Sequence, residues 1–384
     1  MGRFTTGAGA WRPLSGPSHQ LALEILLDGP LSRAELTRRV DLSAGSLTRL
    51  TKPMLESGLL VEVPGGPTDP RVGRPSQPLD IVPTSHHFVG VKVTGDAALG
   101  VLTTLRAEVI ATEERKLPDH SPDTVADAIV ELVHSLSDGR PQVTGLGISV
   151  GGHVSSSGEV LHGDFLAWED VPFQRIVGER VDAQVVVAND VTAVTEAIHW
   201  FGAGRGLSRF CLLTIGAGVG YGLVVHDKLV DTIESGLGLV GHIRLDPDGP
   251  PCHRGHRGCA DVMLTTHAIT SQISEAHGRQ VGYDECLDLA KNGDPEARRV
   301  VGAAGYALGR LIAAASNFTM PEAVMLGGEG VQLATVAQDE LQAGLRSDRH
   351  PSAVPPPILL QDPSFTQWAR GAAVIAIQTF VLGK

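Results

Sequence analysis

The chain has 384 residues, a length that predicts two or three domains. Apolar residues make up 42% and charged residues 19%, a composition that supports a large core and excludes a disordered or collagen-like chain. The formal net charge of -12 excludes a protein coated in positive charge, and no apolar run is long enough to cross a bilayer. The N-terminal stretch lacks a hydrophobic signal core, so we expect a cytoplasmic protein.

The charge is unevenly distributed along the chain. Residues 1–85 carry nine Lys/Arg against eight Asp/Glu, whereas the remainder is strongly acidic. Five basic residues lie between Ser32 and Lys52, where only Glu35 and Asp41 are acidic. An acidic protein with one locally basic module is typical of a nucleic-acid contact that is confined to that module.

Three short helices are predicted in this basic module. A first run of apolar residues predicts a helix that ends at Asp28-Gly29-Pro30. Ser32 and Glu35 have the spacing of a capping box, which opens the second helix. Ser43 is the expected cap of the third helix, which Pro53 should kink or divide.

Two strand-like runs, at 59–63 and 79–82, complete the module. Three helices and a hairpin predict a winged helix-turn-helix over residues 18–83, after a flexible tail at 1–17. Small residues at the start of the third helix make it narrow enough to enter the major groove. The Gly-Arg-Pro segment in the hairpin loop is slim and positively charged, as is typical of segments that enter an A·T-rich minor groove. The residues predicted to contact double-stranded DNA are Ser32, Arg33, Ser43, Ser46, Thr48, Arg49, Lys52, Arg71 and Arg74. The alternative is a small helical dimerisation domain with solvated charges.

The remaining chain predicts two α/β halves. A three-strand meander, a helix and a further strand occur between residues 84 and 190, and a second meander opens the segment 191–384, which indicates an internal duplication. Two such halves around a cleft form the architecture of actin-like, ribonuclease H-like sugar kinases. The terminal helix is expected to return to the first half. The Ala/Gly-rich helix at 303–317 and the terminal helix could each form a subunit interface or core.

Four further motifs follow one another in a specific order. They are the Asn189-Asp190 pair, the glycine turn at 216–220, the segment from Gly241-His242 to Cys259, and Leu326-Gly327-Gly328. Together with the N-terminal module, they resemble the ROK family of repressors, open reading frames and sugar kinases, from about residue 18 to the end. The resemblance implies a repressor of carbohydrate-related genes, built as a homodimer or homotetramer, with a sugar or sugar-phosphate effector in the kinase-derived cleft.

The His/Cys segment predicts a structural zinc site. The family pattern resembles Gly-His followed by Cys-x-Cys-Gly-x-x-Gly-Cys, and Zn²⁺ favours four nitrogen or sulfur ligands. Arg254 stands here where the middle Cys would be, so a histidine must replace it. We expect the ligands His242, Cys252, His256 and Cys259, with His253 as a substitute for His256. A zinc-free loop with surface histidines is the alternative.

In the first hairpin, this chain departs from the pattern that the family has at its nucleotide site. The resemblance places a magnesium-binding Asp at Lys92 and a close-approach glycine at Thr94. Lysine does not coordinate Mg²⁺, and half a phosphate cradle does not support phosphoryl transfer. The second glycine turn, at 216–220, is intact in sequence, although a tight hairpin alone would explain it. We therefore expect a protein that is not an enzyme.

The resemblance also implies a sugar pocket. An Asp that follows Asn is the proton acceptor in the kinases, and without a phosphate site we expect Asp190 to accept a hydroxyl of a bound sugar. Leu239 stands where the family has a sugar-binding Glu, which indicates a different, less polar or absent ligand. The residues predicted to bind the effector are Gly151, Gly152, Asn189, Asp190, His242 and Asp261.

Two other functions stay open at this point. The first is an active sugar kinase with an appended DNA-binding domain, which Lys92 disfavours. The second is a constitutive DNA-binding regulator with a non-functional pocket, which Leu239 favours.

Overall fold

A computed structural model describes residues 13–64, 77–140 and 142–383. The chain divides into two compact units. Unit 1 holds the described residues up to Val150, the segment Val154–Ala193 and the end of the chain from Trp368. Unit 2 holds Gly151–His153 and Val194–Gln367. No helix within the three described ranges is both long enough and apolar enough to span a membrane.

The N-terminal part of unit 1 contains three helices and a two-stranded antiparallel sheet. The elements are α1 (Gly16–Asp28), α2 (Arg33–Arg39), α3 (Ala44–Glu56), β1 (Leu60–Glu62) and β2 (Leu79–Ile81). Their shared core consists of fully buried leucine and isoleucine side chains, namely Leu21, Ile25, Leu36, Leu47, Leu59 and Leu79.

The predicted caps are confirmed. Ser32 Oγ accepts the Glu35 amide at 3.2 Å, while Glu35 Oε2 accepts the Ser32 amide at 3.0 Å. Ser43 Oγ accepts the Ser46 amide at 3.2 Å and so begins α3. Helix α3 continues through Pro53, so the predicted division of this helix is wrong. Pro53 lies in the last turn, where only one backbone hydrogen bond is lost.

The remainder of unit 1 is an α/β assembly. Its five-stranded sheet has the order β10-β6-β3-β4-β5, and a small sheet with the order β7-β8-β9 follows β6. The elements are β3 (His87–Val93), β4 (Ala97–Thr104), β5 (Val109–Lys116), α4 (Pro122–Ser137), β6 (Val143–Val150), β7 (His153–Val154), β8 (Val160–Gly163), β9 (Trp168–Val171), α5 (Phe173–Gly178) and β10 (Gln184–Asn189). Helix α6 (Asp190–Phe201) follows β10 and continues into unit 2.

Unit 2 repeats this strand order around its own sheet. The order β13-β12-β11-β14-β15 again places a three-strand antiparallel meander beside two parallel strands, so the predicted duplication is confirmed at the level of topology. The elements are β11 (Arg209–Ile215), β12 (Val219–Val225), β13 (Lys228–Leu229), α7 (Ala260–Leu264), α8 (Thr266–His277), α9 (Tyr283–Lys291), α10 (Pro295–Thr319), β14 (Ala323–Gly327), α11 (Leu333–Val336), α12 (Gln338–Ser347) and β15 (Ile358–Leu360).

The Ala/Gly-rich face of α10 is core. A Cβ on Gly309 would lie 2.0 Å from the Leu341 carbonyl oxygen, and one on Gly344 would lie 2.0 Å from that of Tyr306. Helices α10 and α12 therefore approach each other backbone to backbone, which requires small residues at these positions.

The last helix, α13 (Phe365–Ile377), packs from Trp368 onward on the sheet of unit 1 and ends in a π-helical turn over Gln378–Leu382. Gly90 of β3 and Gly147 of β6 pair in register beneath it. A Cβ on Gly147 would lie 1.9 Å from the Ala372 carbonyl oxygen. The turn after α13 then reaches α1, because the Leu14 amide donates to the Val381 carbonyl at 2.9 Å.

We expect the substitution Gly147→Ala to lower the free energy of unfolding by about 3 kcal/mol or more, because the new methyl group overlaps the backbone of α13. Urea titration followed by circular dichroism measures the loss. Gly178→Ala is the control, since a Cβ there has no neighbour within 4 Å. Equal stability of the two variants would contradict this account of the packing.

Candidate functional site

Four of the His/Cys side chains of unit 2 converge. The donor atoms of His242, Cys252, His256 and Cys259 all lie within 4.8 Å of one another. His242 Nδ1 is 3.6 Å from Cys252 Sγ, and His256 Nδ1 is 3.5 Å from Cys259 Sγ. The sequence therefore predicted a set of residues that the fold brings together.

Backbone turns hold the two cysteines in place. The Cys252 amide donates to the His256 carbonyl at 2.7 Å, which closes a tight loop between them. Gly258 has a φ of +59°, and a Cβ there would lie 1.7 Å from the Asp246 carbonyl oxygen. Only glycine fits at this position, so the spacing Gly258-Cys259 in the motif has a physical cause.

The spacing of the donor atoms fits a tetrahedral zinc ion. With Zn–S near 2.3 Å and Zn–N near 2.0–2.1 Å, a tetrahedron has sulfur–nitrogen edges of about 3.5 Å. The two distances given above match this value. His253 Nδ1 is farther from Cys252 Sγ, at 4.0 Å, and lies outside the group of four. The geometry therefore favours His256 over His253.

Asp261 lies beside the Gly241-His242 pair. A Cβ on Gly241 would lie 2.4 Å from Asp261 Oδ1, so the glycine makes room for this carboxylate next to His242. Leu239, at the position where the family has a Glu, is 59% exposed. The structure therefore groups two of the predicted effector residues, Asp261 and His242, within unit 2.

The other polar cluster lies in unit 1, where β10 meets α6. Lys92 Nζ forms an ion pair with Asp190 Oδ2, and the two side chains are only 7% and 13% exposed. Lys92 Nζ also lies 5.2 Å from the ring centroid of Trp368, a cation–π distance. Lys92, at the position where the family resemblance predicted a magnesium ligand, is therefore paired with the Asp190 carboxylate.

Asn189 and Asp190 also begin helix α6. Asn189 Oδ1 accepts the Thr192 amide at 3.0 Å, and Asp190 Oδ1 accepts the Val191 amide at 2.8 Å. Asn189 therefore caps the N-terminus of α6. Asp190 serves both the helix terminus and the ion pair with Lys92.

The turns of the two hairpins and the turn after β6 are stabilised by different contacts. In the first hairpin, Thr94 Oγ1 donates to the Ala97 carbonyl at 3.0 Å and closes the turn. Gly152, in the turn that follows β6, has a φ of +136°, which requires glycine. In the second hairpin, the Ala217 amide donates to Glu329 Oε1 at 2.6 Å. The turn that was intact in sequence is covered by a side chain of the protein itself.

Five of the nine residues predicted to contact DNA lie in α3 or directly before it. Ser43 and Ser46 form its cap, Thr48 Oγ1 donates to the Ala44 carbonyl at 3.0 Å, and Arg49 and Lys52 are exposed.

The other predicted DNA contacts are placed differently. Arg33 is committed to an ion pair with Glu62 of β1 at 2.7 Å, which ties α2 to the hairpin. Ser32 is the cap of α2. Arg71 and Arg74 lie outside the described residues.

Sequence reasoning missed Trp368 and Glu329. Trp368 carried no signal, because an aromatic residue near the start of a helix indicates only core. Glu329 carried a weak one: it is a charged residue within Gly327-Gly328-Glu329-Gly330, directly after a buried strand.

Comparison with known proteins identifies a family for this chain and two similar regulators. The sequence profile of the ROK family matches residues 88–378. The xylose repressor of Bacillus spizizenii is 23% identical over 335 residues, which cover 86% of each chain. The DNA-binding transcriptional dual regulator NagC of Escherichia coli is 25% identical over 315 residues, which cover 78% of this chain and 77% of that protein.

Solved structures share the fold. One is a ROK family transcriptional regulator, a homologue of the Escherichia coli Mlc protein, which superimposes with a TM-score of 0.82 at 23% sequence identity. The superposition covers 95% of this chain and 96% of the regulator's chain. A ROK family glucokinase from Streptomyces griseus, solved with glucose and AMPPNP, has a TM-score of 0.66 at 24% identity. It covers 76% of this chain and 99% of its own.

We expect Lys92→Met to lower the free energy of unfolding by about 3–5 kcal/mol, because it leaves the Asp190 carboxylate buried without its cation. Urea titration checks this loss. The double variant K92M/D190N should recover part of it, since the unpaired charge is then gone. Lys52→Met, whose partner Glu56 is exposed, is the control and should change stability by less than about 1 kcal/mol. If K92M were as stable as K52M, the buried ion pair would not contribute to the free energy of unfolding.

Proposed function

The chain belongs to the ROK family, and from this premise we propose that it is a DNA-binding transcriptional repressor of carbohydrate-related genes. One observation carries the proposal. The glucokinase of this family covers 76% of the chain, whereas the regulator covers 95%. The family profile begins at residue 88, after the three helices and two strands of the N-terminal module. These two findings support the interpretation that the N-terminal module is an addition to the part of the chain shared with the kinase.

We propose that the N-terminal module is a winged helix-turn-helix with α3 as its recognition helix. Its capped N-terminus carries small side chains at Ser43 and Ser46, which allow close approach to the major groove. Arg49 and Lys52 are exposed and would contact phosphates or bases. The Arg33–Glu62 pair would fix the angle between α2 and the hairpin.

An operator read by two such modules calls for two copies at a fixed spacing, so we propose a homodimer or a homotetramer that acts in the cytoplasm. Two relatives reported above are named a xylose repressor and a DNA-binding transcriptional dual regulator, and we propose a sugar or sugar phosphate as the effector of this chain. A ligand changes DNA affinity only through a difference in its own affinity for the two states of the protein.

Asp190 is proposed to bind the effector without acting as a base. Lys92 takes one of the two lone pairs of Oδ2, and a sugar hydroxyl would donate to the other. With Lys92 in place of the magnesium ligand, we propose that the protein does not transfer phosphoryl groups.

His242, Cys252, His256 and Cys259 are proposed to hold Zn²⁺. A closed set of four ligands makes the ion structural: it would cross-link the loop 252–259 to His242. The ring of His242 would then be fixed beside Asp261, so that the ion orients the proposed effector side of unit 2.

DNA binding is tested with a pool of random duplexes enriched on the wild-type protein. We expect R49A and K52A to weaken binding and to reduce the slope of log affinity against log salt by about one each, because each removes a phosphate contact. R299A is the control, since Arg299 is an exposed arginine of unit 2. Equal affinity of R49A, K52A and R299A would contradict the assignment of α3.

The same duplexes, titrated with a panel of pentoses, hexoses, N-acetylated sugars and sugar phosphates, test the effector. We expect one member to change the affinity for DNA by roughly 5- to 150-fold. Intact DNA binding with no response to any sugar would support the constitutive regulator instead. ATP-dependent phosphorylation of a panel sugar would contradict the proposal that the protein is not an enzyme.

Zinc content is tested by elemental analysis of the purified protein. We expect about one zinc ion per chain in the wild type and in H253A, and a large loss in H256A and C259S, because only the latter two remove proposed ligands. H253A and H256A are matched variants, because each removes one histidine from the same loop and the two positions are three residues apart. Loss of zinc in H253A with retention in H256A would reverse the assignment.

A further inference from the structure

The second glycine turn of unit 2 joins β11 to β12 and has one backbone donor directed at a side chain. The Gly216 amide donates to the Gly218 carbonyl at 3.0 Å, which closes the turn. The Ala217 amide donates to Glu329 Oε1 at 2.6 Å. The contact joins residues 112 positions apart in sequence, so it depends on the tertiary fold.

The backbone after β14 fixes Glu329 over this turn. Gly328 has a φ of +88°, and a Cβ there would lie 2.3 Å from the Ile215 carbonyl oxygen. The Gly330 amide donates to that same carbonyl at 2.8 Å, and Tyr283 Oη donates to the Gly330 carbonyl at 2.7 Å. Glu329 is therefore held between two residues that are themselves anchored to the end of β11 and to α9.

The carboxylate occupies the space directly above Gly216. A Cβ on Gly216 would lie 2.2 Å from Glu329 Cδ and from both of its carboxylate oxygens. The glycine is thus required for the approach of Glu329, which gives the turn a purpose beyond that of a tight hairpin. A hairpin with no partner would tolerate a side chain at a position with ordinary backbone angles.

Backbone amides in glycine-rich turns bind anions, because they present fixed donors without side chains in the way. A carboxylate offers the same kind of negatively charged oxygen acceptors as a phosphate. We propose that Glu329 is a built-in anion that occupies the phosphate-binding position of this turn and determines that the turn excludes phosphorylated ligands. The exclusion has two causes: the donor is already used, and a second anion would meet the charge of Glu329.

This inference goes beyond the proposed function, since it concerns which ligands the turn of unit 2 accepts and does not depend on DNA binding. It assigns to Glu329 a specificity-determining role. Removing the side chain should expose the Ala217 amide and the space above Gly216, and so convert the turn into a site for inorganic anions.

The test uses the full chain and inorganic pyrophosphate, measured by equilibrium dialysis at constant ionic strength. We expect E329A to bind pyrophosphate at least about tenfold more tightly than the wild type, because the competing anion is gone. The matched control is E322A. Glu322 Oε1 also accepts a backbone amide, that of Arg209 at 2.8 Å, but at the opposite end of β11. E322A should bind as weakly as the wild type.

A second variant covers the case in which E329A does not fold. E329Q keeps a side-chain oxygen that can accept from the Ala217 amide but lacks the charge, so it should fold and bind pyrophosphate more tightly than the wild type. Binding by neither Glu329 variant above the wild-type level would overturn the proposal, as would equal binding by E322A. Neither result affects the DNA-binding experiments, so a failure of the Glu329 proposal can be distinguished from a failure of the proposed DNA-binding function.

Discussion

The ion pair between Lys92 and Asp190 is the contact on which the rest of the molecule depends. The two side chains are only 7% and 13% exposed, so each charge has little contact with solvent and is balanced chiefly by the other. The pair joins β3 to the start of α6, and Trp368 places α13 beside the ammonium group. The start of α6, the central strand β3 and the last helix α13 therefore meet at one charge-balanced point.

In the roles proposed above, Lys92 of unit 1 and Glu329 of unit 2 each stand in for a component of a nucleotide complex. In unit 1, the Lys92 ammonium supplies positive charge where the family resemblance places a magnesium site. In unit 2, the Glu329 carboxylate supplies negative charge to an amide that could hold a phosphate. The protein has kept the strand order of a phosphoryl-transfer fold while its own side chains supply the charges.

Much of this was accessible from sequence, for reasons that are local. Capping by Ser32 and by Ser43 follows from short-range rules, and the motif that contains His242, Cys252, His256 and Cys259 predicted a group that the fold assembles. Pairings across long separations were not accessible. Lys92 meets Asp190 across 98 positions and Ala217 meets Glu329 across 112, and nothing in either local pattern names its partner.

The contact between Leu14 and Val381 brings the beginning and the end of the described chain together. Most of the described chain lies between these two residues, so their contact forms only after that intervening segment has been synthesised. Gly383 lies so near the Leu14 carbonyl that a Cβ there would come within 2.5 Å of that oxygen. Loss of the segment after α13 would therefore remove this backbone contact from the residues that precede α1.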